Sequence, residues 1–487
     1  MDASRRRYRV RFATSQAPAT PSAPAQPLRP RQIKARTGCA ACKRRRVKCD
    51  ETQPQCRRCL ARGEACSGPR RLDQWQATPP DPDLHYFSSH ICTGFVFELR
   101  TGTTLLAALL PHIRRSPALH HTIHSLCSAH RALSSPAARS LSLQDRTNAV
   151  AALAAEVRAH LAGPPTPSSI FRLHCLAFAA VILAVSTQWL DPSGRDCGLQ
   201  HLRGVNAALD VVLQHCQHHQ QEPPADVAKK GIAASAAMSV YLIGLYVYLD
   251  MTHSFLAPAA HALPLSPALR REMARERWRS AKCMHPITHV ATSLCFVVAQ
   301  VGRYYRRVVD RRGRDLGLES DLERDLVRWQ PLDVGHDVVE ADMRFADAVR
   351  ILGLVMLEQA RRAGRRYTAE EGETTVEDAE AKYGEYWRRI DILAAYASTL
   401  LHNGILRPFP HPQFEGVFLL AVGPELDAPS ARQLVEDRWA SLRKRSRLPH
   451  HLLGRELARE CWRRRDSGSK ETWLEVMVEK GLALMVG

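Results

Sequence analysis

Cys39-Ala40-Ala41-Cys42-Lys43-Arg44-Arg45-Arg46-Val47-Lys48-Cys49, followed by Cys56, Cys59 and Cys66, carries one cysteine rhythm twice. In each half, two residues and then six separate successive cysteines, and a six-residue loop with Pro54 joins the halves. Two Cys-x-x-Cys pairs suit a soft divalent ion, because thiolates at that spacing converge on one metal in a tight turn. One tetrahedral zinc would use Cys39, Cys42, Cys56 and Cys59 and leave Cys49 and Cys66 over. Two zinc ions need eight coordination positions, which six thiolates supply only if two of them bridge. The doubled spacing favours this two-metal cluster over a single-zinc finger or a disulfide knot. Six thiolates and two zinc ions carry a net charge of about minus two, which the neighbouring Lys and Arg residues offset while lowering thiol pKa values.

Outward from the cysteines, charge is unevenly spread. Residues 1–70 hold 18 Lys and Arg against 4 Asp and Glu, a net of +14 out of +19 for all 487 residues. The remaining 417 residues therefore contribute only +5. Such a concentration is the electrostatic footprint of polyanion binding, where phosphate neutralisation releases counterions. Lys43, Arg44, Arg45, Arg46 and Lys48 are the candidate nucleic-acid contacts, and Arg29, Arg31, Lys34 and Arg36 are candidate auxiliary phosphate contacts.

The run Gly38 to Asp50, with Pro54, Cys56, Cys59 and Cys66, resembles the fungal binuclear zinc-cluster transcription factors over about 30 residues. The resemblance implies two zinc ions bridged by Cys39 and Cys56. It implies a short helix in the major groove of double-stranded DNA, reading a CGG-type triplet through Arg45 and Arg46. Lys is frequent at those two positions in the family. Arg keeps the charge and adds a fork that fits guanine O6 and N7. A nuclear regulator acting at RNA polymerase II promoters follows from the same resemblance.

Residues 1–36 read as a disordered basic tail without the apolar core of a signal peptide. The cluster module is assigned to 37–68, a Pro-rich linker to 69–89 and an all-α domain to 90–487. The expected fold is thus mostly α, a small metal-stabilised module joined to a large helical domain. No sustained heptad repeat follows the cluster, which leaves a monomer or a homodimer through the helical domain open, as it does transcriptional co-regulators.

Within that domain, Ser142 and Asp145 suggest a capping box, with Val150, Leu153, Ala154, Val157 and Leu161 on one helix face. Ser266-Pro267 reads as an N-cap with proline at the first helical position, and Ser430 with Gln433 as a second capping box before Val435, Trp439 and Leu442. Phe171–Val185 and the uncharged stretch Gly231–Leu249 read as buried core helices rather than membrane spans. Trp189, His201-Leu202-Arg203-Gly204-Val205, and Leu419 to Glu425 with Trp439, Trp462, Trp473 and Gly481 look like elements of fungal-specific regulatory domains.

Four further features have bland readings. His215, Cys216, His218 and His219 read as a solvated helix end. Cys92, Cys127, Cys175, Cys197, Cys216, Cys283, Cys295 and Cys461 read as buried free thiols. Glu370 to Glu380 reads as a solvated acidic segment, and Arg303 to Arg307 as a helix surface. No phosphate-binding glycine loop, nucleophile elbow or zinc-hydrolase motif is present, so no enzyme is expected. The rival function is a protein-interaction or ligand-sensing module with little DNA specificity.

Overall fold

The computed structural model describes residues 39–45, 47–50, 52, 55–64, 66, 81–91, 109, 112–113, 115–163, 167–219, 229–280, 284–332, 340–370, 390, 393–395, 397, 401 and 412–486. The tail 1–36, residues 67–80, Arg46, Cys92, Cys283 and the acidic stretch after Glu370 lie outside them. So do the side chains of Lys43, His215, Cys216, His218 and His219. The chain divides into two compact units, Met1–Pro80 and Asp81–Gly487. Among the described residues both are helical, and pairing of extended backbone is limited to the isolated bridges Ser280–Leu332 and His285–His289.

The second unit begins earlier than composition suggested. Pro82–Tyr86, placed in the linker by its prolines, is a helix whose N-cap Asp81 accepts from the Asp83 amide at 2.9 Å. Pro82 sits in its first turn, where proline lacks no useful donor. Phe87 and Ile91 in the following turn are 1% and 2% exposed and join the core.

That core runs through long helices at Pro117–Ala132, Pro167–Leu190, Lys229–His253, Thr292–Val309 and Glu340–Glu370. Thr292–Val309 shows why. Leu294, Val298, Val301, Tyr305 and Val308 recur at three- and four-residue steps and are all buried. Pro117–Ala132 starts where Ser116 Oγ accepts from the Leu119 amide at 3.1 Å. Ser266 caps Pro267–Met273 in the same way, at 3.1 Å to Leu269 N, as its sequence indicates. The Ser430–Gln433 box does not form. Pro429 opens that helix instead, so Ser430 is already inside it, and Gln433 bonds Asp437. The capping box that does form is Thr472 with Glu475.

The two membrane candidates resolve into core helices. Ile170–Leu190 is long and apolar enough to cross a bilayer, with mean hydropathy 1.9, yet 78% of it is buried in this domain. In Lys229–His253 the terminal Asp250 is buried and paired with Arg303 at 2.7 Å. Arg303 is thereby drawn inward. Arg306 donates to the Leu256 carbonyl at 2.9 Å, and Tyr304 donates to Glu319. The aromatic–basic run is packed structure rather than an exposed stacking surface.

Helix Arg139–Ala162 corrects a sequence expectation. It starts three residues before Ser142, whose hydroxyl bonds back to the Arg139 carbonyl at 2.7 Å, so no capping box forms there. Its inward face is polar. Glu156 accepts from Ser116 Oγ and, at 2.7 Å, from the Ala118 amide. Arg146 donates to the Leu183 carbonyl at 3.0 Å, Thr187 Oγ1 at 2.7 Å and His201 Nε2 at 3.1 Å. With these anchors inside, Val150, Val157 and Leu161 face out, while Leu153 alone of the large residues in that group packs against the core.

The C-terminal helices close around a buried carboxylate. Glu425 accepts from Gln359 at 2.8 Å and Arg465 at 2.8 Å, with Arg362 at 3.5 Å. Burial alone would raise its pKa, but Arg362 and Arg465 hold it below the ordinary glutamate range. Trp473 Nε1 donates to Gln359 Oε1 at 2.8 Å. Finally, Ala483 N donates to Gly194 O at 2.6 Å and His450 Nδ1 bonds the Met485 carbonyl at 3.0 Å. Leu484, Met485 and Val486 are all at most 1% exposed. Gly416 admits this segment, because a Cβ there would lie 2.1 Å from the Val486 carbonyl oxygen.

Candidate metal centre and nucleic-acid interface

Among the described residues of the first unit, no large aliphatic side chain is buried. Its buried cluster is Cys39, Ala41, Cys42, Cys56 and Cys59, with Cys49 and Cys66 partly buried against it. Two short helices set the thiols. Ala40–Arg44 turns directly after Cys39, so Cys42 lies one turn on and its amide donates to Cys39 Sγ at 3.4 Å. Arg57–Leu60 repeats the device with Cys56 as N-cap and Cys59 inside. The backbone stays tight because the amides of Arg62 and Glu64 both return to the Cys59 carbonyl, each at 3.1 Å.

The sulfur atoms converge. Cys39 Sγ lies 3.9 Å from Cys56 and 3.7 Å from Cys59, and Cys42 lies 3.8 Å from Cys56. Two four-thiol groups result, Cys39, Cys56, Cys59, Cys66 and Cys39, Cys42, Cys49, Cys56, each with its sulfur atoms within 4.8 Å of one another. Cys39 and Cys56 belong to both. All six cysteines are free thiols. Burial pushes Cys42 up to about 11 and raises Cys56 and Cys59 as well, in the absence of a cation. Such a packed thiol set gives up its protons when a divalent ion replaces them, which is the chemistry of a zinc–thiolate donor set. The residues therefore fit two zinc ions.

The basic residues divide. Arg44 and Lys48 are exposed. Arg45 is not free: Nη1 pairs with Glu64 at 3.0 Å, Nη2 donates to Cys59 Sγ at 3.4 Å and Nε donates to the Ala41 carbonyl at 3.4 Å. Sequence reasoning missed Glu64 as its partner, although Glu64 is one of only three acids between Cys39 and Cys66. It also passed over Arg58 and Arg62, which line a shallow concavity with Arg45, Val47 and Ala61. Both are exposed and sit on or just after the second short helix, so they extend the basic surface of the first.

In the helical unit, the described cysteines Cys127, Cys175, Cys197, Cys295 and Cys461 are buried free thiols. Burial raises Cys175 and Cys461 to about 12 and Cys197 to about 11, so they are poor nucleophiles.

Comparison with known proteins accords with this geometry. Residues 37–76 match the fungal Zn(2)-Cys(6) binuclear cluster domain. Residues 84–334 and 417–487 match the fungal specific transcription factor domain. The chain is 40% identical over 62 residues to the transcriptional regulatory protein moc3 of Schizosaccharomyces pombe, covering 12% of each protein. It is 42% identical over 62 residues to the aspercryptin biosynthesis cluster-specific transcription regulator atnN of Emericella nidulans, covering 12% of this chain and 10% of that one. Over 41 residues it is 42% identical to transcription factor lfc1 of Flammulina velutipes, covering 8% of this chain and 15% of that one. The chain thus spans only about a tenth of the first two relatives' length. No solved structure matches it. The two domain matches, which together take in most of the residues, and the overlapping thiol quartets that the first requires lead to one conclusion: this chain belongs to the fungal zinc-cluster transcription factors, with a module for two zinc ions followed by the fungal-specific helical domain.

Proposed function

We propose that the chain is a nuclear, sequence-specific regulator acting at RNA polymerase II promoters, whose zinc module reads a CGG-type triplet in double-stranded DNA. The observation that carries this reading is the pair of thiol quartets sharing Cys39 and Cys56, with exposed basic side chains on the loop between them. Zinc bound to Cys39, Cys42, Cys49, Cys56, Cys59 and Cys66 supplies the cross-links that a core this small cannot replace by burial. Cys39 and Cys56, the thiols common to both quartets, would serve both ions. Lys43, Arg44 and Lys48 contact phosphates and groove walls. Arg46 takes a base edge, where a guanidinium forks onto guanine. Arg45 reaches a base only after leaving Glu64, so its first role is to hold the module's shape. The helical domain 90–487, with the segment from Asp81 that packs on it, is the regulatory part.

The reading is tested by selecting bound sequences from random duplex DNA with zinc-loaded full chain at near-physiological salt, beside a chelated sample. Enrichment of a CGG-like triplet that chelation abolishes is expected. Salt-sensitive binding without enrichment would overturn the claim of specificity.

A further inference from the structure

Helix Arg139–Ala162 is mounted with its polar side inward and its apolar ridge outward. Of eleven large hydrophobic side chains exposed among the described residues, five are on this helix: Leu141, Leu143, Val150, Val157 and Leu161. Leu161 is 76% exposed and Leu143 46%. Leu143, Thr147, Val150, Ala154, Val157 and Leu161 follow one another at alternating steps of four and three residues, which is the seam spacing of paired helices. Among the exposed residues from Ser140 to Ala162 the only charge is Arg158. A solvated helix face in a chain with 24% charged residues would carry several.

We infer that this ridge is a two-fold, antiparallel docking surface for a second copy of the chain. The seam is its own complement. Its residues lie at equal distances on either side of Ala152, so an antiparallel mate sets Leu143 against Leu161, Thr147 against Val157 and Val150 against Ala154. Large residues meet at the ends and small ones at the centre, where the exposed Ala151 and Ala155 let backbones approach. The flank pairs Arg158 with the mate's Gln144. No like charges oppose each other there, and a mate of ordinary charged surface would leave this ridge unmatched. A self-complementary patch of this kind is what a two-fold interface requires.

The seam's size fixes its strength. Its 19 residues make a ridge about 27 Å long and about 10 Å across, on the order of 300 Å² per copy. A stand-alone complex uses about 800 Å² per partner. The pairing is therefore weak alone and gains strength when a second link, such as two zinc modules on one duplex, tethers the copies.

The test is sedimentation of zinc-loaded full chain without DNA from micromolar up to near-millimolar concentration, where a weak pairing shows, which keeps it independent of the DNA-reading proposal. Wild type is expected to self-associate with rising concentration. Val150→Glu with Val157→Glu should weaken that about tenfold or more, and Leu316→Glu, a change at another exposed hydrophobic, should not. Leu161→Lys, at the most exposed seam position, repeats the test without risk to folding. Ala151→Cys should form a self-disulfide under mild oxidation, absent in wild type, because equivalent Ala151 residues meet near the axis. A chain that stays monomeric throughout overturns the inference, as does equal association by all variants. Monomers whose seam variants lose thermal stability also overturn it, and assign the ridge to another segment of the same chain.

Discussion

Arg45 and Glu64 are ion-paired at 3.0 Å across the thiol cluster, and the same guanidinium donates to Cys59 Sγ at 3.4 Å. Glu64 thus restrains a basic residue that spacing alone would give to DNA. The pair is part-exposed, so its own contribution to stability is small, about 0–1 kcal/mol. Its consequence lies in which contacts Arg45 is free to make.

Arg45→Ala is expected to lower zinc affinity about 10–100-fold, the usual effect of removing a group that orients metal ligands. Glu64→Gln is expected to do the reverse for DNA, tightening binding to all duplexes and steepening the salt dependence by about one phosphate. Competition with a chromophoric chelator and binding across a salt series read the two effects. If Arg45→Ala held zinc as wild type does, the positioning role would be lost.

Chelation should melt one unit and spare the other. The thiol cluster has its own buried set, separate from the helical core. Hydrogen exchange after metal removal is expected to rise in Ala40–Arg44 and Arg57–Leu60 and to stay slow in Thr292–Val309. Equal loss of protection in both would refute separate stability.

Glu425→Gln should cost about 3–5 kcal/mol of helical-domain stability, because Arg362 and Arg465 would both lose the buried carboxylate they face. Urea unfolding measures this. A cost under about 1 kcal/mol would mean that water and the Glu471 carbonyl, which accepts from Arg362 at 3.0 Å, suffice for that guanidinium.

Acid should weaken the helical domain through its buried histidines. Burial lowers His174, His201 and His451 to about 4, helped by Arg146 at His201 and by His450 at His451. The unfolded chain protonates these groups near 6.5 and the folded one near 4, so the unfolded state binds more protons between those values. Stability is full above about 6.5 and falls as pH drops towards 4, by roughly 1–3 kcal/mol per histidine. Unfolding midpoints across that window should decline in wild type and decline less in His174→Gln. A flat profile would contradict the burial argument.

The metal centre was legible because ligand spacing is a local rule: the six cysteines need only short turns to meet. Ser266-Pro267 was legible for the same reason. The orientation of Arg139–Ala162 was not. Periodicity shows that Val150, Val157 and Leu161 share a face, but which face turns inward depends on Glu156 finding the Ala118 amide and Arg146 finding Leu183, contacts made across 38 and 37 residues. The pairing of Arg45 was hidden for a like reason, since its partner Glu64 is 19 residues away. The burial of Asp250 was hidden in the same way, because its counter-charge, Arg303, lies 53 residues on.

The seating of Ala483 against Gly194 has a consequence for synthesis. The turn at Gly194 leaves the ribosome almost three hundred residues before the strand of chain that covers it. Until then, the Asp191 and Gly194 carbonyls wait for the His450 ring and the Ala483 amide that bond them in the finished fold. Nascent chains of this protein should hence depend on holding factors for the whole of that interval, and a stalled or prematurely released product would be cleared rather than stored.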